Sequence, residues 1–376
     1  MTFLNTSLIR KLTLFLSVAI LSVSTMAADF SQNQRLANQG NASAQYNLGV
    51  MYYKGEEVLQ DNTKAFEWFQ KSADQGNAKA QFNLEAMITN KEVTLSNDAK
   101  VVELFRKAAN QGASQDQLNF GLMYEIGKGV PQDYQKAVKW YTKAANQGNA
   151  DAQFLLGAMY YEGEGIPQDY AKSLEWGQKA ASQGNAGAQY TLGLLYSLGK
   201  GVPQDYQKAV EWYTKAANQG NAKAQLKLAA MYHGGQGIPQ DYAKSLEWSQ
   251  KAANQGNVDA QLLTGMAYEL GKGVRKDDIK ATEWYTKAAN QGNAKAQYFL
   301  ALMYYKGTHM RQDYAQALKW SRKSANQDNA DAQFLLGLMY SKGNGVKKNA
   351  ATAKEYFGKS CDNGLKKGCD GYRSLN

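Results

Sequence analysis

Apolar and polar positions follow helical spacing within a stretch of 36 residues, Asn185 to Gly220, that recurs nine times between Asn41 and Gly364. With Asn185 as position 1, small and apolar residues stand at positions 4, 8, 9 and 12, which places them on one side of an α-helix. A second set stands at positions 22, 25, 28, 29 and 32, with polar residues between them. Each unit is therefore predicted to contain two amphipathic helices.

The segment between the two sets has the residues of a loop and a helix start. Gly199 and Gly201 interrupt the first helix, and Pro203 fixes a turn. Asp205 offers a side-chain oxygen to the free amides at the start of the second helix, and Gly220 supplies the flexible stop. The unit is predicted to be a helix-turn-helix.

A two-helix unit of this length cannot bury its apolar face alone, so neighbouring units must share a core. The predicted fold class is all-α, an α-solenoid of nine 36-residue repeats over 41–364. Residues 28–40 match the end of a second helix and predict an N-terminal cap. Residues 365–376 match the start of a first helix and predict a C-terminal capping helix.

The repeat reads A-x-x-x-L-G-x-x-Y-x-x-G-x-G-V-x-x-D-x-x-K-A-x-x-W-x-x-K-A-A-x-x-G and resembles the Sel-one-like repeat family, a longer relative of the tetratricopeptide repeat. The second repeat, Asn77 to Gly112, is degenerate, and a 72-residue block is duplicated in repeats three to six. The resemblance implies a right-handed superhelix whose first helices line the concave side. It also implies an adaptor that assembles complexes, and several exported bacterial members contact host proteins.

The first 27 residues have the layout of a secretory signal peptide. Arg10 and Lys11 precede the apolar run Leu12 to Val23, and the small residues Thr25 and Ala27 frame a cleavage site. A membrane anchor is the alternative, but the run is shorter than the roughly 20 residues that a span requires. We expect a chain without a membrane span that is exported to the periplasm or secreted.

Basic residues exceed acidic ones, yet their placement points to a solvated helix face. The chain has 43 basic and 33 acidic residues, and removing Arg10 and Lys11 with the leader leaves a formal net charge of +8. Lysine stands at position 31 of every repeat, and in seven repeats a glutamate lies four residues earlier, a favourable helical pair. Three of these pairs are Glu67/Lys71, Glu175/Lys179 and Glu283/Lys287. We therefore expect no nucleic-acid partner.

The two cysteines fall at the last junction between repeats. Cys361 stands at position 33 and Cys369 at position 5 of the truncated first helix, so the two can face each other across the turn. In an exported chain this favours a disulfide that staples the C-terminal cap. A metal site or a redox pair is the alternative, but no further Cys or His joins them in sequence. The cysteine-rich branch of the repeat family has a similar spacing in each repeat.

Signals of catalysis, cofactor binding or metal binding are weak. The two histidines, His233 and His309, have no repeated acidic or nucleophilic neighbour, and no zinc-protease, esterase or Walker motif occurs. One Ser-x-x-Lys occurs at Ser197 to Lys200 without its companion S-D-N and K-T-G elements. We predict a protein that is not an enzyme and has no cofactor. A β-lactam- or peptidoglycan-acting enzyme or binder is the alternative, because some cysteine-rich relatives have been described as acting on β-lactams.

The remaining candidate is a surface. Positions 3, 6, 10 and 13 of the first helices are expected to face the concave side, where aromatic groups suit a protein or peptide ligand. Position 13 varies between repeats more than the scaffold positions do, as we expect of residues that contact a ligand without a repeating structure. The alternative is that position 6 fills the space between neighbouring first helices. We predict a monomer whose partner-binding residues are Tyr46, Tyr53, Phe82, Phe154, Tyr161, Tyr190, His233, Tyr298, Tyr305 and Phe334.

Overall fold

The computed structural model describes residues 30–89, 98–309 and 311–375, which form twenty α-helices and no strand. The predicted all-α repeat fold with capping helices is confirmed. The predicted signal peptide, 1–27, lies outside the described residues. The chain divides into two compact units, Met1–Lys100 and Val101–Asn376, and the division falls within the degenerate second repeat.

The first unit holds the N-terminal cap, the first repeat and the first helix of the second repeat. The capping helix packs on the first helix of repeat one and buries Asn33 and Ala37. The four helices are α1 Phe30–Asn38, α2 Ala42–Lys54, α3 Asn62–Ala73 and α4 Ala78–Thr89.

The second unit begins within α5 (Asp98–Gln111) and runs to the C-terminal cap, and each later helix packs mainly on its neighbours in the chain. Its first helices are α6 Ser114–Ile126, α8 Ala150–Glu162, α10 Ala186–Leu198, α12 Ala222–Gly234, α14 Val258–Leu270, α16 Ala294–Lys306 and α18 Ala330–Lys342. The second helices are α5 Asp98–Gln111, α7 Tyr134–Asn146, α9 Tyr170–Ser182, α11 Tyr206–Asn218, α13 Tyr242–Asn254, α15 Asp278–Asn290, α17 Tyr314–Ala325 and α19 Ala350–Asp362, and the cap is α20 Lys366–Arg373.

Side-chain and backbone caps set the helix ends. In repeat five, the Asn185 side chain accepts a hydrogen bond from the Ala188 amide at 2.9 Å, and Gly199 ends the helix with a φ of 66°. The Asp205 carboxylate accepts one from the Lys208 amide at 3.0 Å. These bonds satisfy helix-end groups that have no partner within the helix.

The side chains at positions 9 and 29 of a repeat are complementary in size. A glycine–aromatic pair alternates with a pair of two small residues along the chain from repeat three onward. A Cβ added at Gly193 would lie 2.5 Å from the Tyr213 ring, so the buried ring requires glycine opposite it. In repeat six the same places hold Ala229 and Ser249. Odd repeats pair glycine with an aromatic residue, as in Gly49/Phe69, Gly121/Tyr141, Gly193/Tyr213, Gly265/Tyr285 and Gly337/Phe357. Repeats four, six and eight pair two small residues, which gives the core a two-repeat period.

A buried glutamine at position 5 joins consecutive repeats. Gln189 donates to the Ala181 carbonyl oxygen of the preceding repeat at 3.3 Å and accepts from Gln219 of its own repeat at 2.7 Å. At the last junction, Cys361 and Cys369 stand at these two positions and form a disulfide with Cα atoms 4.6 Å apart. The disulfide therefore replaces the glutamine-to-carbonyl hydrogen bond that is formed at the junction before repeat one and at each junction from repeat two to repeat nine.

The tryptophans at position 28 lie on the second helices, where Trp320 is buried and the other six are half-buried. Each lies beneath the ammonium of the lysine at position 31, as in Lys71 over Trp68 at 4.0 Å and Lys287 over Trp284 at 3.8 Å. Lys179 pairs with Glu175 at 2.7 Å, as its spacing predicts. These cation–π contacts account for the tryptophans as parts of the scaffold.

Within the described ranges, the search for a helix long and apolar enough to span a bilayer found none.

Candidate functional site

Six first helices carry a half-buried aromatic residue at position 6, two of them in the first unit and four in the second. Each ring is partly supported by the core. The centroid of Tyr190 lies 5.9 Å from that of Tyr213, and the centroid of Phe334 lies 5.5 Å from that of Phe357. Part of each ring thus fills interior space, and part remains exposed on the first-helix face. The six residues are Tyr46, Phe82, Phe154, Tyr190, Tyr298 and Phe334.

One position-6 ring also reaches the next repeat. A Cβ added at Gly187 would lie 2.8 Å from Cζ of Phe154, so the ring sits directly on the following first helix. At Leu118 and Leu262 the position-6 side chain is buried. The suggestion that position 6 spaces neighbouring helices therefore holds for part of the row.

Burial raises the pKa of two of the position-6 phenols above the ordinary value. It raises the pKa of Tyr190 to about 12, with a smaller contribution from Tyr161. Burial also raises the pKa of Tyr298, assisted by the charges of Asp331 and Glu269. A tyrosine hydroxyl is neutral at physiological pH even at its ordinary pKa, so both hydroxyls can donate and accept hydrogen bonds there.

Position 13 forms aromatic clusters in repeats four, six and eight. Tyr161 packs on Tyr170 with centroids 5.4 Å apart, and Tyr305 packs on Tyr314 at 5.5 Å. The equivalent pair in repeat six, His233 and Tyr242, lies at 5.1 Å. We call these three pairs the even-repeat clusters. Their second members, at position 22, were missed by the sequence analysis.

The next repeat contributes a polar group to each even-repeat cluster. The Lys200 ammonium lies 4.9 Å from the Tyr161 ring centroid and 4.7 Å from that of Tyr170. Lys272 occupies the same place over Tyr242 at 4.9 Å. In the third cluster Asn344 donates to the Tyr305 hydroxyl at 3.0 Å. The clusters thus link adjacent repeats at the end of the first helices.

In repeats three, five and seven, the position-13 side chain contacts the core of its own repeat. Its side chains bond to the buried tyrosine at position 29 of the same repeat. Tyr141 donates to Glu125, Tyr285 donates to Glu269 at 2.5 Å, and the Ser197 and Tyr213 hydroxyls lie 3.2 Å apart. The variation at position 13 therefore follows the residue at position 29. The 72-residue duplication is the sequence signal that could have shown this coupling.

Glu125 gives a pH-dependent prediction. Burial raises the pKa of its carboxyl above the ordinary value, only partly offset by the Tyr141 hydrogen bond. The folded state then binds the proton more tightly than the unfolded state, so this residue's contribution to stability falls as pH rises through the raised pKa. The melting temperature of Glu125→Gln minus that of the wild type should increase from about pH 4 to pH 8. The exposed Glu211→Gln is the matched control, and a flat difference would contradict the prediction.

Exposed charges of both signs lie beside the aromatic row. Position 3 carries Asp151, Asp259, Lys295 and Asp331, all exposed. Position 10 adds half-buried aliphatic groups such as Leu302. The first-helix face thus combines apolar contact area with a mixed polar border, as specific protein interfaces do.

The candidate catalytic residues are engaged by the scaffold. Ser197 donates to the Leu194 carbonyl oxygen at 3.0 Å, and Lys200 is held at the Tyr161 ring of the preceding repeat. His309 contacts Thr282 at 3.1 Å. In the described part of the chain, no group of three or more His, Cys, Asp or Glu side chains is arranged to hold a metal ion.

The stacked helix pairs and their capping helices define a tetratricopeptide-like repeat protein. The Sel1 repeat model matches residues 42–77, 96–112, 115–149, 150–185, 186–221, 222–257, 258–293, 294–329 and 330–365. The chain belongs to the Sel1 repeat family. In the second repeat the match begins at residue 96, as its degenerate sequence leads one to expect.

Two solved structures are similar over nearly the whole chain. One is c5321, a protective antigen present in uropathogenic Escherichia coli strains that displays an SLR fold; it is 35% identical with a TM-score of 0.66. The alignment covers 93% of this chain and 82% of that one. The other is a Sel1 repeat protein from Oxalobacter formigenes, 34% identical with a TM-score of 0.59, covering 96% and 93%. No match was found among curated protein sequences.

Proposed function

We propose that the chain is a repeat scaffold that binds a protein or peptide partner on the face of its first helices, which we infer to be concave. The observation that carries the proposal is the row of half-buried aromatic residues at position 6, bordered by exposed charges at position 3. Large rings left partly in water gain free energy when a partner covers them. The neutral hydroxyls of Tyr190 and Tyr298 add directional contacts.

We further propose that the chain is exported as a monomer. Support comes from the basic and apolar pattern of residues 1–27 and from the Cys361–Cys369 disulfide, a bond that persists in oxidising compartments. Membership of the Sel1 repeat family supports the proposed role as an adaptor or as a contact with envelope or host proteins. The similar E. coli structure is that of a protective antigen, which suits a chain that acts outside the cytoplasm.

A capture experiment tests the binding face. The purified chain is used to capture proteins from envelope and host-cell fractions, beside a variant carrying Tyr161→Ala, Tyr298→Ala and Tyr305→Ala. We expect capture of the partner to fall at least tenfold, because each lost aromatic contact is worth about 1 kcal/mol or more. Quantitative mass spectrometry measures the difference.

The matched control removes apolar side chains elsewhere. Leu59→Ala and Ile279→Ala alter residues that are 89% and 59% exposed; Leu59 lies in a loop and Ile279 on a second helix, outside the proposed face. This variant should capture the partner as the wild type does. Equal capture by all three proteins would overturn the proposed face.

A further inference from the structure

The C-terminal end of the second unit contains a cavity of about 380 Å³ between repeat nine and the capping helix α20. Its apolar floor comes from Phe334, Leu338, Phe357 and Leu375. Phe334 and Leu338 stand at positions 6 and 10, the same register as the proposed binding face. The cavity is therefore continuous in register with that face, at its last repeat.

The cavity exists because α20 differs from the other first helices. It has eight residues where the full first helices of this unit have thirteen, and Ser341 near the end of α18 lines the cavity beside it. It also carries Gly371 at position 7, where the preceding repeat has Leu335. A Cβ added at Gly371 would lie 2.9 Å from the Phe357 ring, so the absence of a side chain there allows this ring to line the cavity.

The rim of the cavity carries the cation Lys367 and the anion Asp370, and among the side chains that the structure describes only the anion has a partner of opposite charge within ion-pair distance. Asp370 lies 3.9 Å from the Arg373 guanidinium and is thereby partly neutralised. Among the described residues, no carboxylate lies within ion-pair distance of Lys367, which is exposed at the rim. An apolar floor beside an ammonium without a counterion favours an apolar group that carries a carboxylate.

The wall that holds Lys367 depends on the disulfide. Helix α20 buries only Gly368, and helices shorter than about 12 residues are marginal in water. Cys369 lies between Lys367 and Asp370, so its bond to Cys361 fixes this wall against repeat nine. Reduction is expected to release α20 and so to remove this wall of the cavity.

We propose that this end cavity binds an aromatic or branched apolar side chain of a partner peptide that has a carboxylate next to it, and that it does so only while the disulfide is intact. The proposal rests on the proposed function, because it assigns the cavity to the same class of partner. Lys367 pairs with the carboxylate, and Phe334 and Leu338 contact the apolar side chain.

The test is a titration of the full chain with N-acetyl-phenylalanyl-aspartyl amide, followed by the methyl resonances of Leu338 and Leu375. The neutral phenylalanyl-asparaginyl analogue should bind about fivefold more weakly, because an exposed ion pair contributes up to about 1 kcal/mol. Lys367→Gln should weaken the acidic peptide to the same degree. The neighbouring Lys366→Gln, which does not line the cavity, is the matched control.

A second arm tests the dependence on the disulfide. Cys361→Ser/Cys369→Ser should bind the acidic peptide at least tenfold more weakly, with unchanged resonances in repeats three to seven. Equal binding of both peptides, or undiminished binding by the cysteine-free variant, would overturn the proposal. So would tighter binding of decanoate than of the acidic peptide, which would indicate a lipid site. The titration does not depend on capturing a partner, so its failure beside a successful capture removes this site alone.

Discussion

Gly193→Ala is expected to destabilise the wild-type chain and to stabilise the Tyr213→Ser variant. In the wild type the added methyl would lie 2.5 Å from the Tyr213 ring, and overpacking of this kind costs about 1–3 kcal/mol. Tyr213 is 1% exposed, so its truncation to serine leaves a cavity that costs about 3–5 kcal/mol. In that cavity the alanine methyl gains contacts, as Ala229 does beside Ser249 in repeat six.

The two substitutions form a double-mutant cycle measured by denaturant unfolding. Ala229→Gly is the matched control, because it removes a methyl where the facing residue is already small. It should cost about 1 kcal/mol, mainly through backbone entropy. An effect of Gly193→Ala with the same sign in both backgrounds would show that positions 9 and 29 are not coupled.

Helical spacing alone identified the interior positions that depend on one helix. Ala188 and Leu192 are fully buried, as their places at positions 4 and 8 predict. The cap at Asp205 was equally predictable, because a cap depends on neighbours within three residues. These features are local, so a single sequence is enough to predict them.

The alternation between repeats was not predictable in the same way. It depends on the contact between position 9 on the first helix and position 29 on the second. Contacts between helices cannot be read directly from a single sequence. Position 13 illustrates the consequence. Glu125 and Ser197 look like variable surface residues in sequence, yet they bond to buried tyrosines. Tyr161 and Tyr305, in repeats with a small residue at position 29, lie in the even-repeat clusters instead.

This difference refines the proposed binding face. Position-13 residues of repeats four, six and eight remain candidates for contact with a partner, whereas Glu125, Ser197 and Glu269 are tied to the core of their own repeats. The structural role of position 13 therefore alternates along the chain. A ligand that contacts position 13 would therefore find an available side chain in every second repeat.

The same register argument predicts where a new disulfide will form. Ala181 and Gln189 occupy the positions that Cys361 and Cys369 hold at the last junction, and a hydrogen bond of 3.3 Å already joins them. Ala181→Cys/Gln189→Cys, made in the Cys361→Ser/Cys369→Ser background, is expected to oxidise spontaneously. Closing a loop of roughly nine residues should stabilise the oxidised form over its reduced form by about 2–3 kcal/mol.

Two measurements check the new bond: the number of reactive thiols and the unfolding midpoint with and without reductant. The control, Ala181→Ser/Gln189→Ser in the same background, also loses the Gln189 hydrogen bonds, each worth about 1 kcal/mol, but cannot form the bond. Its midpoint should not respond to reductant. Two reactive thiols remaining after air oxidation would show that the junction at Gln189 does not share the geometry of the last one, since a disulfide requires its Cα atoms to lie within about 7 Å.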